Sequence, residues 1–313
     1  MCRIIGGMNK KDLLAFGSAL GAAFFWSFSF VWFKIAYLAY NPITVVLFRL
    51  VISAILIIAI GWAMKRLQKP SKKDVGLFFL MSFFEPFLYF MGESYGLKYV
   101  SSTVAAVIVA TIPLLTPIFA WYFYREQVRL MNIVGFFFSF IGVGLVVLDQ
   151  SGRFEASPLG VGLEFIAVFA AIAYSIVLKN VAARYNTITI IAYQNLIGIG
   201  LFLPVWLFLD LKDFIHTPFH PQAFRAIVLL AVFSSTLAFV FFTQSVRRLG
   251  MNRANTFINL IPVFVAVTSF FVLNESMDLQ KIIGIIIVIT GLFLAQAKRR
   301  RRKGHKAIEI HRK

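Results

Sequence analysis

Two carboxyl groups and a phenol share one stripe of an otherwise apolar stretch. The segment SFFEPFLYFMGE (82–93) carries Glu85, Tyr89 and Glu93 at intervals of four residues, so on a helix all three lie on one face. Glu85 lies about 15 Å into its predicted span, where a charge costs at least about 2.5–3.5 kcal/mol. The stripe predicts a cavity wall with a protonatable group. The alternative is a neutral Glu85 hydrogen-bonded to a neighbouring helix.

Arg49 and Trp26 are the other polar side chains deep in the first half. Arg49 is predicted to form an ion pair with Glu93, which has a similar depth, or to extend outward to water. The alternative is a counter-ion for a substrate carboxylate, which arginine binds through two parallel bonds. Trp26 needs a partner for its indole N–H, and with Ser29 one turn further on it could line the same cavity.

The second half has weaker candidates for the same wall. Ser234 and Thr236 fall at the depth of Glu85, although such small polar residues usually serve packing between helices. Asn255 and Asn259 lie on the face that enters a later apolar run, where an amide needs a partner. Tyr174 is the remaining candidate for substrate contact.

The elements that must position these residues are membrane spans. The chain is 60% hydrophobic and 14% charged, with a mean hydropathy of +0.83, whereas soluble domains are about half apolar and a quarter charged. Apolar runs long enough to span a bilayer recur from end to end. They predict an all-α polytopic membrane protein with ten transmembrane helices: 14–34, 43–64, 75–97, 101–124, 131–148, 159–179, 188–209, 223–246, 254–273 and 281–297. The segment 210–222 is predicted to be the longest loop.

The net charge of +18 comes largely from short loops and from the tail KRRRRKGHKAIEIHRK (298–313). With the N-terminus inside, the inner segments hold 24 Lys and Arg residues and the outer ones six, which predicts that both termini are cytoplasmic. We expect the tail to contact anionic lipid and expect no nucleic-acid partner. Cys2 is the single cysteine and the four histidines lie outside the apolar runs, so a His/Cys metal site within the membrane is excluded.

The two halves of the chain resemble each other. An offset of 149 residues aligns Pro113 with Pro262, Glu126 with Glu275, and the glycines 135 and 142 with 284 and 291. Further upstream an offset of 145 aligns Tyr40-Asn41 with Tyr185-Asn186 and Thr44 with Thr189. Because each copy holds five spans, the second copy must cross the membrane in the opposite sense. Such inverted repeats are typical of transporters, whose sites lie between the repeats near the midplane.

The repeat also resembles a known family. YGLKYVSSTVAAVIVATIPLLTPIFAWYFYREQVRLMNIVGFFFSFIGVGLVVL (95–148) is similar to the repeat unit of EamA-type transporters of the drug/metabolite transporter superfamily, and VRRLGMNRANTFINLIPVFVAVTSFFVLNESMDLQKIIGIIIVITGLFL (246–294) looks like a second copy. The resemblance implies a 5+5 inverted repeat, cytoplasmic termini, and export or exchange of small metabolites such as amino acids. The predicted parts are an N-terminus (1–13), two five-helix repeats (14–150 and 151–297) and the tail (298–313).

These observations predict a secondary transporter in a bacterial cytoplasmic (inner) membrane, with protons as a candidate coupling ion. The chain lacks a GxxxxGK[ST] phosphate-binding loop, so energy must come from a gradient, or the carrier is passive. The alternative is a flippase that moves lipid-linked intermediates across the membrane, as related members of the superfamily do. No paired-Asp metal motif is present, and no histidine lies within the apolar runs. The string GESYG (92–96) matches GxSxG in its letters, but it falls inside a predicted membrane helix and not on the strand-to-helix turn of a nucleophile. We therefore expect no enzyme, no catalytic residues, no metal and no cofactor.

Overall fold

Helices account for nearly all of the described part of the chain. The computed structural model describes residues 10–116, 119, 130–148, 156–250, 254 and 256–296. In chain order the helices are α1 (Lys10–Ala36), α2 (Pro42–Ala63), α3 (Val75–Ser82), α4 (Tyr89–Tyr99), α5 (Ser102–Val109), α6 (Leu130–Val147), α7 (Pro158–Ala182), α8 (Thr187–Leu209), α9 (Leu211–His216), α10 (Pro221–Leu229), α11 (Ala238–Leu249), α12 (Ile261–Leu273) and α13 (Leu279–Gln296). Two π-helical turns, Phe83–Leu88 and Leu230–Leu237, join α3 to α4 and α10 to α11, and a 3₁₀ turn, Thr256–Leu260, precedes α12.

Six helical segments of the described residues are long and apolar enough to cross a membrane. They are Leu13–Ala36, Pro42–Ala63, Val75–Tyr99, Pro158–Ala182, Thr187–Leu209 and Pro221–Leu249. Four shorter apolar helices, Ser102–Thr116, Ile133–Val147, Phe257–Leu273 and Leu279–Gly291, fall in the other four predicted spans. An all-helical polytopic membrane protein is thereby confirmed, whereas the count of ten spans stays a prediction.

The third and eighth predicted spans are not regular helices throughout. At Glu85 the backbone has φ −146° and ψ 117°, which is non-helical, and the proline that follows cannot donate a helical hydrogen bond. In the other π-helical turn the Thr236 hydroxyl donates to the carbonyl of Ala231, five residues back, at 2.9 Å. Such irregular turns redirect side chains inside a span and occur frequently at functional sites.

The predicted loop 210–222 is partly helical, because it contains α9 and the start of α10. The ring of Phe214 in α9 lies 5.2 Å from that of Phe48 and 5.6 Å from that of Trp206. This aromatic contact gives the short helix an apolar face to bury, which hydropathy alone did not reveal.

Helices α2 and α8 pack side by side and run in opposite directions. The start of α2 meets the end of α8, where the Thr44 backbone N–H and hydroxyl both donate to Asp210 at 2.9 Å. The start of α8 meets the residues after α2, where the Thr189 hydroxyl accepts from the backbone N–H of Gln68 at 2.9 Å. A threonine in the first turn of each helix therefore forms a hydrogen bond with residues at the end of the other helix.

Helices α6 and α13 cross at glycines. A Cβ added at Gly142 would lie 2.7 Å from the carbonyl oxygen of Gly284, and one at Gly291 would lie 2.6 Å from the carbonyl oxygen of Gly135. Both contacts are tighter than any side chain tolerates, so glycine is what permits the two backbones to approach. Small residues serve this purpose in membrane helix pairs generally.

Candidate functional site

A cavity of about 640 Å³, including its mouth, lies among α1, α2, α4, α7 and α11. The polar part of the wall consists of Ser29, Arg49, Glu85, Tyr89, Glu93, Tyr174 and Ser175. The apolar part is half aromatic, with Trp26, Phe30, Phe90, Phe239 and Phe242, and half aliphatic. Residues from both halves of the chain contribute to it.

The break in the third span places the stripe of Glu85, Tyr89 and Glu93 on this cavity. Pro86 is backed by α8, where a Cβ on Gly198 would lie 2.5 Å from the proline ring. One turn further on, the Tyr89 hydroxyl donates to Glu93 Oε1 at 2.8 Å. All three side chains are buried. The stripe thus faces an internal cavity, and Tyr89 lies between the two acids with its hydroxyl bonded to Glu93.

Arg49 is held by neutral groups. Its Nε donates to Ser235 Oγ at 2.7 Å, and its guanidinium carbon lies 4.3 Å from the ring centre of Phe90 and 5.0 Å from that of Phe33. Nη1 is buried without a hydrogen-bond partner. No Arg49–Glu93 contact lies within 4.0 Å; the π-helical turn 230–237 brings Ser235 to the guanidinium instead, and Glu93 takes its bond from Tyr89. The predicted ion pair is therefore not formed in this structure. Arg49 and Glu93 share the cavity wall, and the arginine keeps an unused donor.

Trp26, Ser29 and Tyr174 also lie on the wall. The Trp26 ring packs 5.3 Å from that of Phe239 and 5.0 Å from that of Phe242. The Ser29 hydroxyl donates to the Trp26 carbonyl at 2.6 Å, and Tyr174 donates to Gln194 Oε1 at 3.1 Å. Six of the ten candidates from the sequence therefore meet at one cavity.

The remaining candidates are elsewhere. Ser234 donates to the carbonyl of Phe25 at 3.1 Å, and Thr236 shares a 2.7 Å hydrogen bond with Ser53; neither lines the cavity, because the π-helical turn directs both hydroxyls at neighbouring helices. Asn259 is fully buried off the cavity, and neither its Oδ1 nor its Nδ2 has a partner. Asn255 lies outside the described residues, as do the tail (298–313) and Glu126.

Glu164 on α7 was not among the sequence candidates. Its side chain is fully buried, and neither carboxyl oxygen has a hydrogen-bond partner. The segment GVGLEFIAV (160–168) contains it as the single charged residue in a long apolar run. That signal is the same one that singled out Glu85, so sequence reasoning could have found it.

Outside the spans, an ionic cluster ties the start of α3 to the connection between α7 and α8. Asp74 accepts hydrogen bonds from Tyr185 at 2.7 Å and Ser71 at 2.9 Å, and Arg184 binds it at 2.5 Å. Those hydrogen bonds from Tyr185 and Ser71, with the charge of Arg184, lower the pKa of the Asp74 carboxyl from its usual value. The cluster holds these two parts of the chain together.

Apolar helices around an internal polar cavity define a polytopic membrane protein. Comparison with protein families gives the class a name. The model of the EamA-like transporter family matches residues 13–148 and again 158–296. The chain belongs to this family.

Individual relatives agree with the family. An uncharacterized transporter of Archaeoglobus fulgidus is 24% identical over 293 residues, which covers 93% of this chain and 99% of the relative. The uncharacterized transporter YetK of Bacillus subtilis is 24% identical over 263 residues, covering 83% and 79%. A solved crystal structure shares the fold with a TM-score of 0.66 at 18% identity, covering 91% of this chain and 96% of the other.

Proposed function

We propose that the protein is a secondary transporter of small metabolites such as amino acids, working as an exporter or exchanger in the cytoplasmic membrane of a bacterium. The observation that carries the proposal is the cavity, which combines one guanidinium with two carboxyl groups in an aromatic surround. Glu85 lies about 15 Å from Val75, where its span begins, near the middle of a hydrocarbon core about 30 Å thick. A polar site at that depth is where a carrier must hold its solute.

The chemistry of the wall fits a zwitterion with an apolar side chain. The free Nη1 of Arg49 is a donor for a solute carboxylate. Glu85 can take either an amine or a proton, and the rings of Trp26, Phe239 and Phe242 offer apolar and cation–π contacts. No cofactor and no enzymatic step is required for this task.

The helix pairs support an inverted repeat as the basis of alternating access. Thr44 and Thr189, matched by the offset of 145, lie at opposite ends of the antiparallel pair α2 and α8. Each forms a hydrogen bond with the far end of the other helix, Thr44 as donor to Asp210 and Thr189 as acceptor from the backbone N–H of Gln68. The contact Gly142–Gly284 becomes the contact Gly291–Gly135 when each residue is exchanged for its counterpart at an offset of 149. A two-fold axis in the membrane plane would produce both relations. Rocking of one five-helix bundle against the other would then open the cavity to each side in turn.

The remaining parts of the proposal concern the surroundings of the carrier. The excess of Lys and Arg in alternate segments favours two cytoplasmic termini. The basic tail would then lie against the anionic lipid of the inner leaflet. Energy would come from a solute or proton gradient, with Glu85 as the group that carries the proton.

Solute counterflow in proteoliposomes tests the proposal. Purified protein is reconstituted with unlabelled amino acids inside, and uptake of the radiolabelled solute is followed. We expect uptake of at least one amino acid, and its loss in Arg49→Gln because the carboxylate donor is gone. Arg225→Gln is the matched control, since Arg225 is exposed on α10 and undergoes the same chemical change.

Two results would overturn the proposal. Uptake of no amino acid or other small metabolite, together with protein-dependent flipping of a labelled lipid-linked sugar, would favour the flippase alternative. Equal uptake by Arg49→Gln and Arg225→Gln would show that the Arg49 guanidinium does not bind the solute.

A further inference from the structure

Glu164 forms a second buried acidic site, away from the central cavity. It is fully buried on α7, and both of its carboxyl oxygens lack a hydrogen-bond partner. It does not belong to the cavity wall that holds Glu85 and Glu93. A buried polar group without a partner is expensive enough that it calls for a specific explanation.

The space around Glu164 is too narrow for a solute. Helix α4 presses on α7 through glycines: a Cβ on Gly96 would lie 2.6 Å from Glu164 Oε1, and one on Gly92 would lie 2.6 Å from the carbonyl oxygen of Leu163. On the other side of the same contact, a Cβ on Gly160 would lie 2.7 Å from the side chain of Val100. The carboxyl group is thus laid against the backbone of α4, and a proton is the one ligand small enough to bind there.

Two charged groups lie near enough to Glu164 to affect its carboxyl group. Lys34 of α1 and Glu93 of α4 are the charged groups that interact with it electrostatically. Lys34 donates its Nζ to the carbonyl of Val100 at 2.7 Å, so its charge is held at the end of α4 beside the glycine contact. The same ammonium also interacts with Glu275.

The elements around α7 hold further titratable groups. Helices α3 and α5 carry none. The others are Tyr89, Tyr95, Lys98 and Tyr99 on α4, Tyr37 just after the end of α1, Glu85 on the π-helical turn, Tyr193 on α8, and Arg247 and Arg248 at the end of α11. Among these, Tyr37 and Tyr89 interact with Glu164.

A carboxylate without hydrogen bonds is far more costly to bury than a neutral carboxylic acid. We propose that Glu164 is a proton-binding site at the α4–α7 contact, separate from the central cavity, with Lys34 as the counter-ion when the proton leaves. The inference that Glu164 binds a proton depends on this geometry alone. A role for Glu164 in transport rests on the proposed function.

Infrared spectroscopy of the protein in lipid nanodiscs tests proton binding without transport. The variant Glu85→Gln/Glu93→Gln removes the two acids of the central cavity and keeps Glu164 at the α4–α7 contact. Near neutral pH we expect it to show the C=O stretching band of a protonated carboxyl in an apolar environment. The band should disappear at high pH, and it should be lost when Glu164→Gln is added, whereas Asp278→Asn, a change at a half-exposed acid, should leave it. With Lys34→Gln the band should remain through the titration, because the carboxylate would have no counter-ion.

Absence of the band from the double variant near neutral pH would overturn the proposal, and this measurement needs no change at Glu164. Persistence of the band in the Glu164→Gln triple variant would assign the band to another group and would also overturn the proposal.

The role of Glu164 in transport is measured separately, as the pH profile of solute counterflow. We expect Glu164→Gln to flatten that profile relative to Asp278→Asn. If the protein transports no solute but shows the band, the proposed function is wrong and the proton-binding site is still supported. If the pH profile of Glu164→Gln is unchanged, Glu164 takes no part in the transport cycle.

Discussion

The glycine crossing of α6 and α13 allows a stability prediction with an internal control. Gly142→Ala adds one methyl group whose carbon would lie 2.6 Å from Val288 Cγ2, 2.7 Å from the carbonyl oxygen of Gly284 and 2.8 Å from the backbone nitrogen of Val288. Two of these three atoms are backbone, so they cannot move aside by a change of rotamer. Gly144, two residues along the same helix, has no atom within 4 Å of the position of an added Cβ.

The magnitude follows from two opposing effects. Overpacking of a tight contact costs about 1–3 kcal/mol. Replacing a helical glycine by alanine stabilises the helix by roughly 0.5–1 kcal/mol, and this gain is common to both variants. Gly144→Ala should therefore be slightly more stable than the wild type, and Gly142→Ala should be about 1–3 kcal/mol less stable than Gly144→Ala.

Thermal denaturation of the purified variants in one detergent, followed by tryptophan fluorescence, measures the order of stabilities. We expect Gly144→Ala to denature at the highest temperature and Gly142→Ala at the lowest. Gly291→Ala should lose about as much as Gly142→Ala, since its added Cβ would meet Gly135 and Ser139 at 2.6 Å. If Gly142→Ala is as stable as Gly144→Ala, then α6 and α13 do not cross as closely as described, and the two-fold argument built on them fails.

Three further predictions concern the acids and the topology. Glu85→Gln should abolish accumulation driven by a pH gradient while solute exchange persists, or should weaken solute affinity at every pH if Glu85 binds an amine; unchanged transport in both assays would make it a structural acid. Asp74→Asn should destabilise the protein at neutral pH, because the pKa of Asp74 is lowered in the folded state. The stability that Asp74 contributes is present above about pH 4 and is lost as the pH falls through the folded-state pKa. A difference in stability between wild type and Asp74→Asn that does not shrink in acid would contradict this. In a background without Cys2, a cysteine at Lys69 should react with an impermeant thiol reagent only from the cytoplasmic side and one at Asp213 only from outside; reaction of both from one side would refute the topology.

Much of the site followed from local spacing. The spacing of Glu85, Tyr89 and Glu93 predicted one shared helix face. The backbone at Glu85 is non-helical, yet the structure brings these three side chains to one cavity with Tyr89 bonded to Glu93. Trp26, Ser29 and Tyr174 were found in the same way, from polar groups within apolar runs. These inferences work because each polar group within a membrane span carries its own free-energy cost. A polar residue inside an apolar run can therefore be recognised from the sequence alone.

The partners of those groups depended on the packing of distant helices. Arg49 bonds to Ser235, 186 residues away, rather than to Glu93, because the π-helical turn 230–237 brings the serine to it. Ser234 and Thr236 turn to other helices for the same reason. No local pattern specifies which faces of two helices will meet.

The sequence by itself determined the class of the protein, since hydropathy and length decide which segments can enter a bilayer. It also contained the internal repeat, because matched glycines and threonines survive in both halves. Only the tertiary structure decided that the break at Glu85 opens onto a cavity, that Arg49 keeps a free donor, and that Glu164 lies sealed against the backbone at Gly96. Each of these depends on how closely two helices approach, and that distance is set by the side chains of both partners together.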